Sequence, residues 1–192
     1  MNCPACVTTD LERRDGPIGP AIHCCPKCIG RWLVFDDHLQ WLESLPPSSH
    51  ATSANISSVH LAGVTVITEA PHKARLCPRC GKIISRYRFS PDHHCWLERC
   101  GSCAGIWFDR GEFEAVAAIV PLARIQHLFN DTHQHKVSSE LAHRQHEQRC
   151  RAIVGDEAFD KAREFKAWIE QQPRRDVLMA YIDDSFERND TQ

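Results

Sequence analysis

Eight cysteines in two matched sets constrain this 192-residue chain more than any other feature of its sequence. Each set contains two C-x2-C pairs separated by eighteen or nineteen residues, and each is followed by x-G-x-W. The two copies lie 74–75 residues apart, so the chain contains an internal repeat. The first set is Cys3, Cys6, Cys25 and Cys28, and the second is Cys77, Cys80, Cys100 and Cys103.

Two C-x2-C pairs at this spacing are typical of a four-cysteine zinc site. Thiolates bind zinc tetrahedrally at about 2.3 Å, and a two-residue spacer turns both sulfurs toward one point. The gap in the second set predicts a β-hairpin, with strands at 82–89 and 95–99 and a turn at 90–92, and in the first set the turn falls at 16–20. Units this small bury too little apolar surface to fold alone, and zinc would supply the missing stability, which is about 10–16 kcal/mol in small zinc peptides. We therefore predict two structural zinc ions per chain.

Glycine and tryptophan stand at the same spacing after the last cysteine in both copies, and this spacing predicts their roles. Gly30 and Gly105 follow the last ligand of each set by two residues, which predicts a positive φ where the chain leaves the turn. Trp32 and Trp107 are expected to pack over the metal turns.

Three cysteines, Cys24, Cys95 and Cys150, fall outside the repeat. We expect Cys24 and Cys95 to behave as small buried apolar residues. Three histidines lie near the metal turns and could substitute as ligands, but we do not expect this while four thiolates are available at each site; they are His23, His93 and His94. A redox role for the C-P-x-C pairs is an alternative, although Cys3 leaves no room for the strand that precedes a thioredoxin-type motif.

Beyond the cysteines, the chain becomes helical in pattern. Apolar residues recur at helical spacing after Pro121, at Leu122, Ile125, Leu128 and Phe129, at Phe159, Ala162, Phe165 and Ile169, and at Leu178, Tyr181, Ile182 and Phe186. Gly155 and Pro173 separate these segments, and 130–150 is polar, so a helix there is expected to be solvated. His143, His146 and Cys150 share one helix face but make an incomplete ligand set, and we expect no third zinc there.

Together these patterns predict a small α+β fold. Each zinc ribbon is a β-hairpin with zinc knuckles followed by a short helix, and a C-terminal helical region completes the chain. The predicted segments are a first ribbon at 1–44, a linker with a candidate strand (59–68) at 45–72, a second ribbon at 73–120 and the helical region at 121–192.

Composition narrows the class of protein. The net charge of −2 gives the whole molecule no electrostatic attraction to nucleic acid or membrane. A cysteine at position three leaves no room for a secretory leader, and no apolar run approaches the roughly 18 residues of a membrane span. We therefore expect a cytoplasmic protein whose cysteines bind metal rather than form disulfides.

The second copy reads C-P-x-C, then C-x-x-C-x-G-x-W-x-D-x-G-E, ending at Trp107, Asp109, Gly111 and Glu112. It resembles the bacterial transcription-factor zinc-finger family, named for the zinc ribbon of transcription factor IIB. The first copy resembles a diverged member, with Val34 in place of Asp109 and Asp37 in place of Glu112. The resemblance implies a ribbon fold and a metal. Asp109 and Glu112 are spaced for a capping box at a helix start.

Two hypotheses for function follow, and both are non-catalytic because four cysteines close each metal site. In the first, the ribbons contact nucleic acid or the transcription machinery, with a basic and aromatic hairpin at 75–99 as the contact surface. In the second, the protein is a protein–protein interaction scaffold or adaptor. Thiol redox or chaperone activity is a weaker third. The hairpin also has an ordinary interpretation, in which Arg86 and Arg88 are solvated while Tyr87 and Phe89 pack inward. No small-molecule substrate or further cofactor is indicated.

Overall fold

The computed structural model describes residues 1–15, 19–46, 74–92 and 95–187, without the side chains of 185–187. Most of the predicted linker, its candidate strand at 59–68, turn residues 16–18, the side chain of Phe186, and His93 and His94 lie outside the described residues. The chain divides into two compact units, Met1–Glu140 and Leu141–Gln192. The finer domain boundaries expected from the sequence stay a prediction.

The first unit is built on one six-stranded antiparallel sheet of order β1-β2-β3-β6-β5-β4. Its strands are β1 (Glu12–Arg14), β2 (Ile22–Cys24), β3 (Arg31–Leu33), β4 (Ser85–Arg88), β5 (Trp96–Arg99) and β6 (Ile106–Phe108). The predicted hairpins are β1–β2 and β4–β5. The sequence did not indicate β3 and β6, which contain the two tryptophans of the repeat. These strands pair with each other and place Trp32 opposite Trp107, so the two ribbons share one sheet.

Six helices are present in the described part of the chain. A short helix follows each ribbon, as predicted, and the others follow Pro121. They are α1 (Phe35–Glu43), α2 (Glu112–Ile119), a 3-10 helix (Leu122–Phe129), α3 (Asp131–Val154), α4 (Asp156–Glu170) and α5 (Arg175–Glu187). Asn130 starts α3, because its Oδ1 accepts the His133 N–H at 2.7 Å. Gly155, with φ of 84°, separates α3 from α4, and Pro173 lies between α4 and α5.

Two apolar clusters hold the first unit together. One lies between strands β5 and β6 and the helices that follow, and it includes Leu97, Phe108, Ile125 and Leu128. The amide of Gln134, near the start of α3, donates to the carbonyls of Arg88 and Leu128, which fixes that helix start against the second hairpin. The other cluster contains cysteines of the repeat, with Leu11, Val34 and Ile84, packed around Trp32 and Trp107.

In the second unit, α4 and α5 contact each other. Large apolar side chains remain exposed on both helices, at Phe165, Trp168, Val177, Met179 and Tyr181. Among the described residues, no helix has the length and apolar character needed to cross a membrane.

Candidate metal centres

The structure brings the eight cysteines of the repeat together as two separate groups. Within each group the four Sγ atoms all lie within 4.8 Å of one another. Four sulfurs bound to one zinc at about 2.3 Å stand about 3.8 Å apart. The sulfur–sulfur distances are 3.6 Å for Cys3–Cys28, 3.9 Å for Cys6–Cys25, and 3.5 Å for both Cys77–Cys103 and Cys80–Cys100. The donor atoms, their number and their spacing therefore fit tetrahedral zinc.

Each C-x2-C pair forms the same tight turn. The N–H of the residue after the second cysteine donates to the carbonyl of the first cysteine at 2.8–3.0 Å. Backbone N–H groups also point at sulfur, as from Cys6 to Cys3 Sγ at 3.3 Å. The residue after the second cysteine has a positive φ in all four turns, at Val7 (65°), Ile29 (62°), Gly81 (71°) and Ala104 (55°).

The role predicted for Gly30 and Gly105 was wrong, because the positive φ falls one residue earlier. Both glycines are needed for space instead. A Cβ on Gly30 would lie 2.2 Å from Cζ2 of Trp107, and a Cβ on Gly105 would lie 2.2 Å from Cζ2 of Trp32. Each tryptophan therefore occupies the space left by the glycine of the other copy. They pack among the cysteines, as expected, but they also join the ribbons.

The thiols of each group differ in acidity. Burial raises the pKa of Cys3 to about 11 and also raises that of Cys77. Burial opposes ionisation of Cys25 and Cys100 as well, but N–H groups of the turn donate to their sulfurs and lower both pKa values to about 7. Four adjacent thiolates are unfavourable without a cation, and zinc supplies the charge that stabilises all four and links the two turns.

Asp109 is the centre of a polar network in the second ribbon. Its carboxylate accepts from Arg75 Nη1 at 2.9 and 3.0 Å and from Trp107 Nε1 at 3.0 Å, and Arg75 also donates to Glu98. The predicted capping box is therefore half correct. Glu112 does accept the Asp109 N–H at 2.8 Å, but the Asp109 side chain does not cap α2, whose N-cap residue is Gly111.

The first ribbon lacks this network. Val34 stands where Asp109 would be, and the buried Nε1 of Trp32 has no hydrogen-bond partner among the described residues. Asp37, at the position of Glu112, instead accepts from Arg13 at 2.9 Å and lies 3.4 Å from His23 Nε2. His23 thus faces the carboxylate of Asp37. The first metal group already has four sulfur ligands without His23.

The cysteines outside the repeat do not join either group. Cys95 is 1% exposed in the apolar cluster that contains Leu97 and Phe108, and burial raises the pKa of its thiol. Cys24 is half-buried against the same cluster. Cys150 Sγ lies 3.6 Å from His146 Nε2 on α3, but the candidate metal-binding groups found in the described residues are the two four-cysteine groups.

Two aromatic residues of the basic hairpin, Tyr87 and Phe89, pack inward. Phe89 is buried, and Tyr87 contacts Phe129 edge-on with ring centroids 5.1 Å apart. This agrees with the ordinary interpretation of the hairpin, in which Tyr87 and Phe89 belong to the core.

Arginines of the hairpin region bind acidic or aromatic groups of the protein itself. Arg79 donates to Asp36 at 2.6 Å, which ties the second ribbon to the first. Arg86 and Arg88 lie over the ring of Trp96, at 4.8 and 5.0 Å from its centroid. Lys82, which also lies in this hairpin region, is exposed.

Comparison with known proteins agrees with the geometry of the second ribbon. Residues 76–119 match the family model described as transcription factor zinc-finger. The second ribbon therefore has the family's TFIIB-type zinc-ribbon pattern. The match covers its four cysteines, β6 and α2, and the first four-cysteine group is consistent with a diverged copy. No curated protein and no solved structure matched the chain.

Between the first turns of the two ribbons lies a groove that the sequence did not indicate. Its volume is about 460 Å³, and its lining includes Pro4, Val7, Leu76 and Pro78. Val7 is 67% exposed and Leu76 is 58% exposed. The groove forms where equivalent turns of the two copies face each other. The internal repeat is therefore the only sequence feature that relates to it.

Proposed function

We propose that this protein is a non-catalytic, zinc-stabilised binding module whose paired ribbons form a rigid platform for a partner protein. The closed ligand set carries the proposal. Each group offers four thiols, whereas catalytic zinc keeps one position open for water or substrate. We assign the ligands as Cys3, Cys6, Cys25 and Cys28 for one ion and Cys77, Cys80, Cys100 and Cys103 for the other. A reducing, cytoplasmic location suits this use of cysteine.

The groove between the ribbons is the proposed partner site. Among the described residues its lining is mostly apolar, with Asn2 as a polar neighbour, and the guanidinium of Arg75 beside it is bound by Asp109 and Glu98. Exposed apolar surface next to a rigid scaffold is typical of protein–protein contact.

Backbone strain at two exposed residues of the first ribbon, of which Val7 lines the groove and Ile29 does not, supports contact of this ribbon with an apolar partner. Val7 and Ile29 are β-branched residues with positive φ, and they are 67% and 50% exposed. Glycine or asparagine would suit this conformation better, and a polar side chain would suit the exposure. Neither the turn nor solvation accounts for valine and isoleucine here, whereas contact with an apolar partner surface does.

Nucleic acid is the second candidate partner. The observation that favours it is the pair of arginines over Trp96, of which Arg86 is exposed and Arg88 half-buried, since cationic and aromatic groups together suit phosphate contact and base stacking. It ranks second because Arg75 and Arg79 are engaged with carboxylates of the protein itself.

Affinity purification of the zinc-loaded chain tests the proposal. Leu76→Asp should abolish recovery of a partner that the wild type retains. Ile153→Asp is the matched control, because Ile153 is an exposed apolar residue (82%) of the other unit. Equal recovery by both variants would refute the groove as the binding site.

A salt titration separates the two classes of partner. Oligonucleotide binding that falls steeply with salt and is lost in Arg86→Glu would favour nucleic acid. Absence of binding at low salt would favour the protein partner.

Elemental analysis should give two zinc ions per chain, and fewer in anaerobically purified protein would contradict the ligand assignment.

A further inference from the structure

The chain that leads into the first zinc turn of the second ribbon is extended and has one open backbone edge. Leu76 forms an antiparallel β-bridge with Ile83, and its two hydrogen bonds, of 2.7 and 3.1 Å, join the residues on either side of this pair. In that pattern the N–H and C=O of Leu76 point away from Ile83. Neither group has a hydrogen-bond partner among the described residues.

The first ribbon repeats this arrangement, and the two open edges face the groove between the ribbons. Asn2 corresponds to Leu76 in the repeat and forms the equivalent bridge with Asp10, so its N–H and C=O also point outward. The groove lining takes in 2–4 and 74–78 but neither Asp10 nor Ile83. The groove therefore runs along the outer edges of these segments and not across their bridged sides.

The outer edges of the six-stranded sheet are protected against pairing, and the Leu76 edge is not. Strand β1 consists of three exposed charged residues, which discourage the addition of another strand. At the end of β4, side chains of α3 donate to the carbonyls of Arg88 and Phe89 at 3.0 and 3.1 Å. Leu76 and Ile83 are instead apolar and 58% and 66% exposed. An apolar edge with an unused donor and acceptor is suited to receive a strand.

We propose that an extended segment of the partner protein adds to the Leu76 edge as a further β-strand. The Leu76 N–H donates to a carbonyl of that segment, and the Leu76 carbonyl accepts an N–H from it. The side chain placed beside Leu76 extends the exposed row of Leu76 and Ile83, which β-branched apolar residues fit best. This inference rests on the proposed function, because it uses the same groove, and it specifies an extended partner segment rather than a helix.

Differences between the two copies select the edge of the second ribbon. The row equivalent to Leu76 and Ile83 is Asn2 and Asp10 in the first ribbon, and an apolar strand gains little from packing beside polar side chains. Val7, on the opposite wall, is 67% exposed and gives the added strand a second apolar contact. The position of Val7 is occupied by Gly81 in the second ribbon.

Peptide selection supplies a probe for this edge. Random short peptides displayed on phage are selected on the zinc-loaded full chain, and those that also bind Leu76→Asp are discarded. The retained sequences should carry β-branched apolar residues at alternate positions. A synthetic peptide of this kind is then N-methylated at every second residue, in two complementary sets. The set that removes the N–H groups facing Leu76 should weaken binding at least about tenfold, and the other set should stay within about threefold.

Amide hydrogen exchange, followed by nuclear magnetic resonance, locates the new hydrogen bond on the protein. The Leu76 amide should exchange at least about tenfold more slowly when the peptide is saturating. The neighbouring Cys77 amide is the internal control, since it already donates to the Lys82 carbonyl at 2.7 Å. Its exchange should change much less than that of Leu76.

The outcomes separate this inference from the proposed function. Apolar residues spaced three and four apart in the retained peptides, equal effects of the two N-methylated sets, or an unchanged Leu76 amide would overturn strand addition and leave the groove as the partner site. A selection that enriches no peptide dependent on Leu76 would overturn both the strand addition and the groove.

Discussion

Replacing Gly105 with alanine places a methyl group where the ring of Trp32 already lies. The new Cβ would be 2.2 Å from Cζ2 of Trp32, which is about 1.3 Å less than the roughly 3.5 Å of an ordinary carbon–carbon contact. Trp32 is fully buried, and the β3–β6 pairing holds its strand in place. Overpacking of a close-packed core typically costs about 1–3 kcal/mol. We expect Gly105→Ala to lower the free energy of unfolding of the first unit by that amount.

Gly101→Ala is the matched control, since Gly101 lies in the same metal turn and a Cβ there would meet no atom within 4 Å. Urea unfolding of zinc-saturated protein, followed by near-ultraviolet circular dichroism, measures both variants. Trp32→Leu should be less harmful in the Gly105→Ala background than alone, because a smaller side chain makes room for the methyl group. If the free energies of unfolding of Gly105→Ala and Gly101→Ala differ by less than about 0.5 kcal/mol, the steric argument is wrong.

Three further predictions follow from the metal groups and the buried polar network. Cys80→Ser should reduce the zinc count from two to one and remove near-ultraviolet signal from the shared sheet, while the far-ultraviolet signal of α4 and α5 persists. Burial raises the pKa of Glu112 from 4.5 to about 7, so stability present below about pH 4.5 is lost as pH rises through 7. The total loss in the free energy of unfolding is about 3 kcal/mol, and urea unfolding at pH 6 and 8 should show part of it in the wild type. The variant Glu112→Gln should not show this loss. The double variant His143→Ala, His146→Ala should keep two zinc ions by elemental analysis, and a drop from three to two would reveal a third site.

Cysteine spacing and hydrophobic periodicity predicted much of this structure because both are local signals. C-x2-C pairs define their turns within a few residues, and the apolar spacing after Pro121 and around Phe159 marks helices directly. The 3-10 form of Leu122–Phe129 was not distinguishable from an α-helix, because three- and four-residue spacings of Ile125, Leu128 and Phe129 suit either.

The joining of the ribbons could not be predicted in the same way. Strands β3 and β6 contain three residues each, too few for a periodic pattern. The requirement for Gly30 comes from Trp107, 77 positions later in the chain, and each G-x-W looks like part of its own turn. A contact between repeats leaves no trace in the spacing of either repeat alone.

The shared sheet gives a physical account of what the two copies retain and where they differ. Glycine and tryptophan occur in both copies because each glycine accommodates the tryptophan of the other, so losing either one disturbs both ribbons. The Asp109 network involves residues of the second ribbon only, and Val34 replaces Asp109 in the first ribbon without affecting it. That replacement leaves Trp32 Nε1 buried without an acceptor among the described residues, at a cost of about 1–3 kcal/mol. Packing between the copies offsets this local loss, since Trp32 stays fully buried against Gly105.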